Sequence, residues 1–337
     1  VTTARAVTIS DVARVAGVSP ATVSRVLNGS ETVAPELADR VRKAAADTRY
    51  VPNSNGRALR RRVSDVWAVI VSDVQNPFFT GVVAAIERVA VDRGFSVVLC
   101  NSDEQVARES EYLRLAAAQH LAGIVIAVAS EMESDLRTAA ADIPAVMIDR
   151  RVHDHLGDSV MVDNRLAGRL AADHLLEQGF RRIACITGPS DVSTTEDRLA
   201  GFRTRLSEAG APIARKWIRR ANLRAQGGES ALCALLREGD LPDAVFATNG
   251  PLTEGAYQAL QAEGIAIGAG IGLIGVDDDH WTRMVAPQVS VVQQPVAEIG
   301  RLAGELLADR AAHGPGPAQR IVLTPALIAR GSSARGH

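Results

Sequence analysis

Arginine is the side chain with the greatest chemical capacity in this 337-residue chain, and it is unevenly placed. Residues 1–62 carry 11 Lys and Arg against 5 Asp and Glu, a net +6, while the remainder carries 26 against 34, a net −8. A guanidinium can pair bidentately with phosphate or with a guanine edge. A basic N-terminal stretch ahead of an acidic body therefore has the charge layout of a nucleic-acid reader with a separate sensing part. Other chemistries are thinly represented. Gly270-Ile271-Gly272-Leu273-Ile274-Gly275 has G-x-G-x-x-G spacing. A dinucleotide cradle needs a strand before that motif and a helix opening inside it. Here the motif is itself strand-like, and Asp277-Asp278-Asp279 behind it would repel a pyrophosphate. His153-Asp154-His155 is a lone pair of imidazoles in a polar loop, short of a metal-ligand set. No nucleophile elbow and no Ser/His/Asp or Cys/His arrangement is evident. Cys100, Cys185 and Cys233 lie far apart in apolar contexts, as expected of small core residues in a reducing compartment. The residues thus point to a binding protein without metal or cofactor rather than to an enzyme.

The elements that must position these groups can be read from periodicity and caps. Apolar residues make up 47% and charged residues 23%, so a globular chain is expected rather than a disordered one. No uninterrupted apolar run approaches the ~18 residues of a membrane span. Val1–Ser10 lacks a basic start followed by an apolar core, so a cytoplasmic location is expected. Thr8-Ile9-Ser10-Asp11 reads as a capping box, its hydroxyl accepting from a backbone N–H, and Gly17 as a helix stop. Ser19 caps a second short helix with Pro20 at its first position, and a third helix is expected over 35–48. From Val63 onward short β-rich apolar runs, from Val66–Val71 to Val289–Val292 and Arg320–Leu323, alternate with helical stretches. That is the pattern of parallel sheets covered on both faces, and its length calls for two α/β lobes. The tail after Arg330 is polar and is expected to fray.

The stretch from Thr8-Ile9-Ser10-Asp11-Val12-Ala13 through Gly17-Val18-Ser19-Pro20-Ala21-Thr22-Val23-Ser24-Arg25-Val26-Leu27-Asn28 strongly resembles the DNA-binding head of the lactose-repressor (LacI-type) family. The resemblance continues at Arg49-Tyr50-Val51-Pro52-Asn53, Asn76-Pro77-Phe78-Phe79, Val162-Asp163-Asn164, Arg198-Leu199-Ala200-Gly201-Phe202 and Gln294-Pro295, nearly the whole chain. It implies a homodimeric transcriptional regulator, most simply a repressor. The implied fold is an all-α helix-turn-helix head with a hinge helix, joined to a two-lobed α/β core like that of periplasmic binding proteins. The implied boundaries are 1–52 for the head, 53–62 for the hinge helix, 63–163 with 294–322 for the first lobe, and 164–293 with 323–333 for the second.

The implied partners are a palindromic operator DNA and a small-molecule effector held between the lobes, a sugar or sugar derivative being favoured. In a helix-turn-helix the N-terminal residues of the second helix meet base edges. These are Pro20 and Ala21, which offer apolar contact, and Arg25, which suits guanine. Thr8, Ser19, Thr22, Ser24 and Asn28 are placed to bond phosphate. In the hinge, Asn53 and Arg57 match the family's pattern, and Leu59 stands where an apolar wedge enters the minor groove. Matching effector positions are Asp73, Asn76, Phe78, Phe79 and Asp149 on one lobe, and Arg198, Asn249 and Asp277 on the other. Departures are Ala34 in place of a helix-capping Ser, Asn55-Gly56 inside the hinge helix, Gly250 after Asn249, and Leu223 where sugar-responsive members carry an aromatic ring.

Overall fold

The computed structural model describes residues 7–27, 33–50, 64–136, 142–153 and 157–335. The chain divides into two units, Val1–Ser64 and Asp65–His337. The first holds three helices, Ile9–Ala16 (α1), Pro20–Leu27 (α2) and Pro35–Asp47 (α3). At the start of α1 the Thr8 backbone N–H donates to Asp11 Oδ2 at 3.0 Å, and the Thr8 hydroxyl lies 2.7 Å from the same oxygen. The hydroxyl donates to the carboxylate, a stronger acceptor than a neutral oxygen, and Thr8 and Asp11 together form the capping box that the sequence suggested. Gly17 ends α1 in the left-handed region at φ 63°, and Arg40 of α3 donates to the Ala16 carbonyl at 2.6 Å. Ser19 Oγ accepts from Thr22 N at 3.1 Å to open α2, whereas Ala34 leaves α3 without a side-chain cap. Val12, Ala16, Val23, Val26 and Val41 form the small core that holds the three helices together.

The second unit contains two six-stranded sheets. Its strands are Val66–Val71 (β1), Ser96–Asn101 (β2), Gly123–Ile126 (β3), Ala145–Ile148 (β4), Asp158–Val162 (β5), Ile183–Thr187 (β6), Ile218–Arg220 (β7), Ala244–Ala247 (β8), Gly272–Val276 (β9), Ser290–Gln293 (β10), Arg320–Leu323 (β11) and Ala326–Ile328 (β12). The first sheet runs β11-β5-β4-β3-β1-β2 and the second β12-β10-β9-β8-β6-β7. Pairing is parallel except between β10 and β12. Helices Pro77–Asp92 (α4), Val106–Ala118 (α5) and Val296–His313 (α10) belong to the first lobe. Helices Asn164–Glu177 (α6), Ser193–Glu208 (α7), Ala225–Arg237 (α8) and Gly250–Ala262 (α9) belong to the second. Central strands are covered on both faces and therefore read as unbroken apolar runs; in β1 all residues after Val66 are buried. The edge strand β2 departs from this, with Val98 49% and Leu99 42% exposed. The G-x-G-x-x-G stretch runs into β9, as its strand-like composition suggested.

The chain passes between the sheets three times: from β5 to α6, from β10 to α10, and from β11 to β12. Ligand-facing loops of the two sheets can therefore approach one another without leaving the fold. Close helix contact fixes one side of that meeting point. A Cβ added at Gly168 of α6 would lie 1.9 Å from the Arg198 carbonyl oxygen of α7, and one at Gly201 would lie 2.0 Å from that of Arg165. Only glycine permits this approach.

Within the tail, the described residues 331–335 do not fray as composition suggested. Gly331–Ser333 forms a short 3-10 turn with Ser332 and Ser333 buried. Ser332 Oγ donates to the Leu273 carbonyl at 2.6 Å, and Ser333 Oγ lies 2.6 Å from both Ser290 Oγ and the buried His174 Nε2. These bonds tie the chain's last turn to the second sheet.

Candidate functional site: an interlobe pocket and an exposed recognition helix

Asp73, Asn76, Phe78, Phe79, Asp149, Arg198, Asn249 and Asp277 converge on one pocket between the lobes. All but Arg198, which projects from within α7, sit at or just after the point where a strand ends and a helix or loop begins, the place where open α/β sheets present ligands. Several also have structural work. Asn76 caps α4 by accepting from Phe78 N at 3.1 Å, and Asn249 caps α9 by accepting from Leu252 N at 2.9 Å. Their carbonyl oxygens are thereby engaged, and their amide N–H groups remain to donate. Phe78 and Phe79 pack edge to face, centroids 5.1 Å apart, and belong to the first lobe's core as well as to the pocket wall.

Asp149 and Asp277 both adopt left-handed backbone, at φ 61° and 73°. For a residue with a Cβ that conformation is strained and persists only where the surroundings enforce it. Burial raises the pKa of both carboxyls, and the facing guanidinium groups of Arg150 and Arg198 partly counter this for Asp149, as Arg198 does for Asp277. Arg198 is 3% exposed. Its Nε donates to Asn164 Oδ1 at 2.8 Å and its Nη1 to the Thr248 carbonyl at 2.8 Å. Burial lowers its pKa, against the attraction of Asp277 and Asp149. Gln294 donates to Asp277 Oδ1 at 2.7 Å and so orients that carboxylate.

Five lining residues escaped the sequence reading: Glu104, Arg150, Thr194, Thr195 and Gln294. Arg150 adjoins Asp149 in sequence, and Gln294 lies in the Gln294-Pro295 motif, so adjacency could have flagged both. Glu104 carries no such signal. It accepts both Nη atoms of buried Arg150, at 2.7 and 2.8 Å, across 46 residues of chain. The pocket therefore holds four carboxylates, Asp73, Glu104, Asp149 and Asp277, against two guanidinium groups, one of which Glu104 occupies. Such a surplus of acceptors suits hydroxyl donors and opposes an anion. Leu223 completes the wall with an aliphatic surface.

On the head, Pro20 and Ala21 at the start of α2 and Arg25 in its last turn are exposed. Arg25 makes no hydrogen bond or ion pair among the described residues, so its guanidinium is available. Ser19 and Thr22 hydroxyls lie 2.9 Å apart, and Ser24 is half-buried. Hydrogen bonds from Thr8 draw the Asp11 carboxyl down to about 2. Asn28, Asn53, Arg57 and Leu59, as well as Gly56, lie outside the described residues. Among the described residues no group of His, Cys, Asp and Glu is arranged to hold a metal ion, and no helix is long and apolar enough to cross a membrane.

Comparison with known proteins gives two family matches: bacterial regulatory proteins of the lacI family over residues 8–53, and a periplasmic binding protein-like domain over residues 172–333. The ribose operon repressor of Escherichia coli (strain K12) is 31% identical over 328 residues, 97% of this chain and 99% of the relative. A solved complex of the transcriptional regulator CelR with cellobiose is 31% identical, covers 97% of this chain and 99% of that one, and has a TM-score of 0.72. The lac repressor dimer bound to operator and the anti-inducer ONPF is 26% identical, covers 98% and 99%, and has a TM-score of 0.86.

Proposed function

The chain belongs to the lacI family of bacterial regulatory proteins, and from that premise we propose that it is a cytoplasmic, sequence-specific repressor. It acts as a homodimer on a palindromic operator and takes a neutral sugar or sugar derivative between its lobes. Its relatives regulate transcription and are not enzymes. The observation that carries the effector class is the pocket's four carboxylates against two arginines, which favours hydroxyl groups and disfavours phosphates and carboxylates. The ribose of one relative's name and the cellobiose of a solved neighbour belong to the favoured class. Asp73, Asp149 and Asp277 accept from sugar hydroxyls, Asn76, Asn249 and Arg198 donate, and Phe78 and Leu223 cover the ring.

On DNA, Arg25 reads guanine, Pro20 and Ala21 meet a thymine methyl, and Thr8, Ser19, Thr22, Ser24 and Asn28 position the head on phosphate. Asn53, Arg57 and Leu59 act in the hinge, the wedge of Leu59 opening a base step. One head spans few base pairs, so a two-fold dimer is needed to read a palindrome. The exposed Val98 and Leu99 on β2 suit a surface that a second copy covers.

A thermal-shift screen with neutral sugars, sugar phosphates and nucleosides tests the class. A bound ligand raises the melting temperature by mass action. A neutral sugar or nucleoside should do so, and a shift confined to sugar phosphates refutes the class. A gel shift on a palindromic operator then tests whether the same sugar releases the protein from DNA.

A further inference from the structure

Two cross-lobe contacts lie outside the pocket: Ser193 of α7 donates to Glu131 of the first lobe, and Arg224 makes the more extensive one. Arg224, at the N-cap of α8 in the second lobe, reaches three acceptors on the first. Its Nη2 lies 2.6 Å from Asp103 Oδ1 and 3.4 Å from Asp73 Oδ2, and its Nη1 donates to Gln75 Oε1 at 3.1 Å. Arg224 itself does not line the pocket, whereas Asp73 does. The receiving turn is unusual. Asp103 and Glu104 are consecutive left-handed residues at φ 54° and 57°. Ser102 N and Glu104 N donate to the Val71 and Ser72 carbonyls at 2.9 and 2.8 Å, which pins the turn to the end of β1. Its second residue, Glu104, then holds Arg150 beside Asp149. A strained turn thus carries the interlobe ion pair on one residue and a pocket-shaping ion pair on the next.

We propose that Arg224 is a clasp for the closed cleft: a positioning residue that raises effector affinity by holding the second lobe against Asp103 and Gln75 and by fixing Asp73, without touching the effector. The inference rests on the reading that an effector binds between the lobes. A rigid open cleft has no use for such a contact, because all three acceptors belong to the opposite lobe. A clasp made only in the closed state shifts the open–closed equilibrium by its own free energy, and effector affinity shifts with it. Arg224 is 41% and Asp103 34% exposed, so solvent screens the pair and the effect is modest, about three- to ten-fold in affinity.

The test titrates ribose and cellobiose by calorimetry into the full-length wild type, Arg224→Ala, Asp103→Asn and the double variant. Asparagine is chosen because it tolerates left-handed backbone. Each single variant should bind the responding sugar about three- to ten-fold more weakly, with the double no weaker than the worse single. Raising salt from about 50 to about 500 mM should weaken the wild type and leave Arg224→Ala nearly unchanged. Equal affinity in Arg224→Ala, or losses that add in the double variant, would overturn the clasp. If neither sugar binds the wild type, the sugar reading has failed for these probes, and X-ray scattering of the ligand-free proteins judges the clasp by itself. A larger radius of gyration for Arg224→Ala supports it, and identical curves refute it.

Discussion

Gly168→Ala is the most direct probe of how the fold delivers Arg198 to the pocket. The added Cβ would fall 1.9 Å from the Arg198 carbonyl oxygen and 2.7 Å from Phe202 N. Ordinary contact begins at 3.4 Å, so α6 and α7 must part by about 1.5 Å along that line. Both obstructing atoms are backbone and cannot rotate away. Overpacking of this kind costs typically ~1–3 kcal/mol, and a clash of backbone with backbone belongs at or above the top of that range. Alanine returns ~0.8–1.0 kcal/mol of helix propensity. A net destabilisation of about 2 kcal/mol remains, equivalent to a melting temperature lower by roughly 4–8 °C for a unit of this size. Gly304→Ala is the matched comparison, since its Cβ would meet only the Val89 side chain, at 3.0 Å or more; a near-neutral change is expected there. Because Arg198 rides on the displaced helix, Gly168→Ala should also weaken sugar binding in calorimetry. An unchanged or higher melting temperature for Gly168→Ala would refute the close-approach account.

Replacing Arg25 with Ala should remove ~1–3 kcal/mol of operator discrimination per half-site while leaving salt-dependent binding to random DNA; equal loss on both DNAs in a titration would make Arg25 a phosphate contact. Arg198→Ala should abolish the calorimetric signal for the sugar and spare operator affinity of the ligand-free protein, and a wild-type sugar dissociation constant would place Arg198 outside the site. Burial lowers the His174 pKa below its ordinary value of 6.5, so the native state binds fewer protons than the unfolded chain in the window beneath that value. The stabilisation is complete above pH ~6.5 and is lost as pH falls through the folded pKa. Melting temperatures taken between about pH 7.5 and 5 should fall less steeply for His174→Gln than for the wild type, and parallel curves would show that this imidazole is not the titrating group.

Local chemistry was the part of this molecule most open to reading from sequence. The stop at Gly17, the cap at Ser19 and the missing cap at Ala34 depend on neighbours within a few residues, and the alternation of apolar runs with helices depends only on periodicity. The pocket was legible in part, because residues such as Asp149 and Asp277 follow strands directly. What escaped depends on distance in the chain. Glu104 meets Arg150 across 46 residues and Arg224 meets Asp103 across 121, and nothing near either partner signals the other. The tail failed for the same reason. Gly331, Ser332 and Ser333 look like a polar terminus, yet the Leu273 carbonyl receives the Ser332 hydroxyl, and Ser290 and His174 meet that of Ser333. Side-chain type also hid double duty: Asn76 and Asn249 are helix caps and pocket-lining residues at once, and composition cannot separate the two.

The three passages between the sheets also set a timetable for synthesis. β5 ends at Val162, but its outer neighbour β11 begins only at Arg320, roughly 160 residues later. At translation speeds of about 5–20 residues per second, that partner arrives some 8–30 s after β5. Throughout that time the β5 edge has no strand beside it, and an unpaired edge is a template for pairing with another chain. The head's helices contact one another within residues 8–47 and can assemble long before. A nascent chain therefore carries a finished reader and an open sheet edge together, and those seconds are when it is most exposed to aggregation.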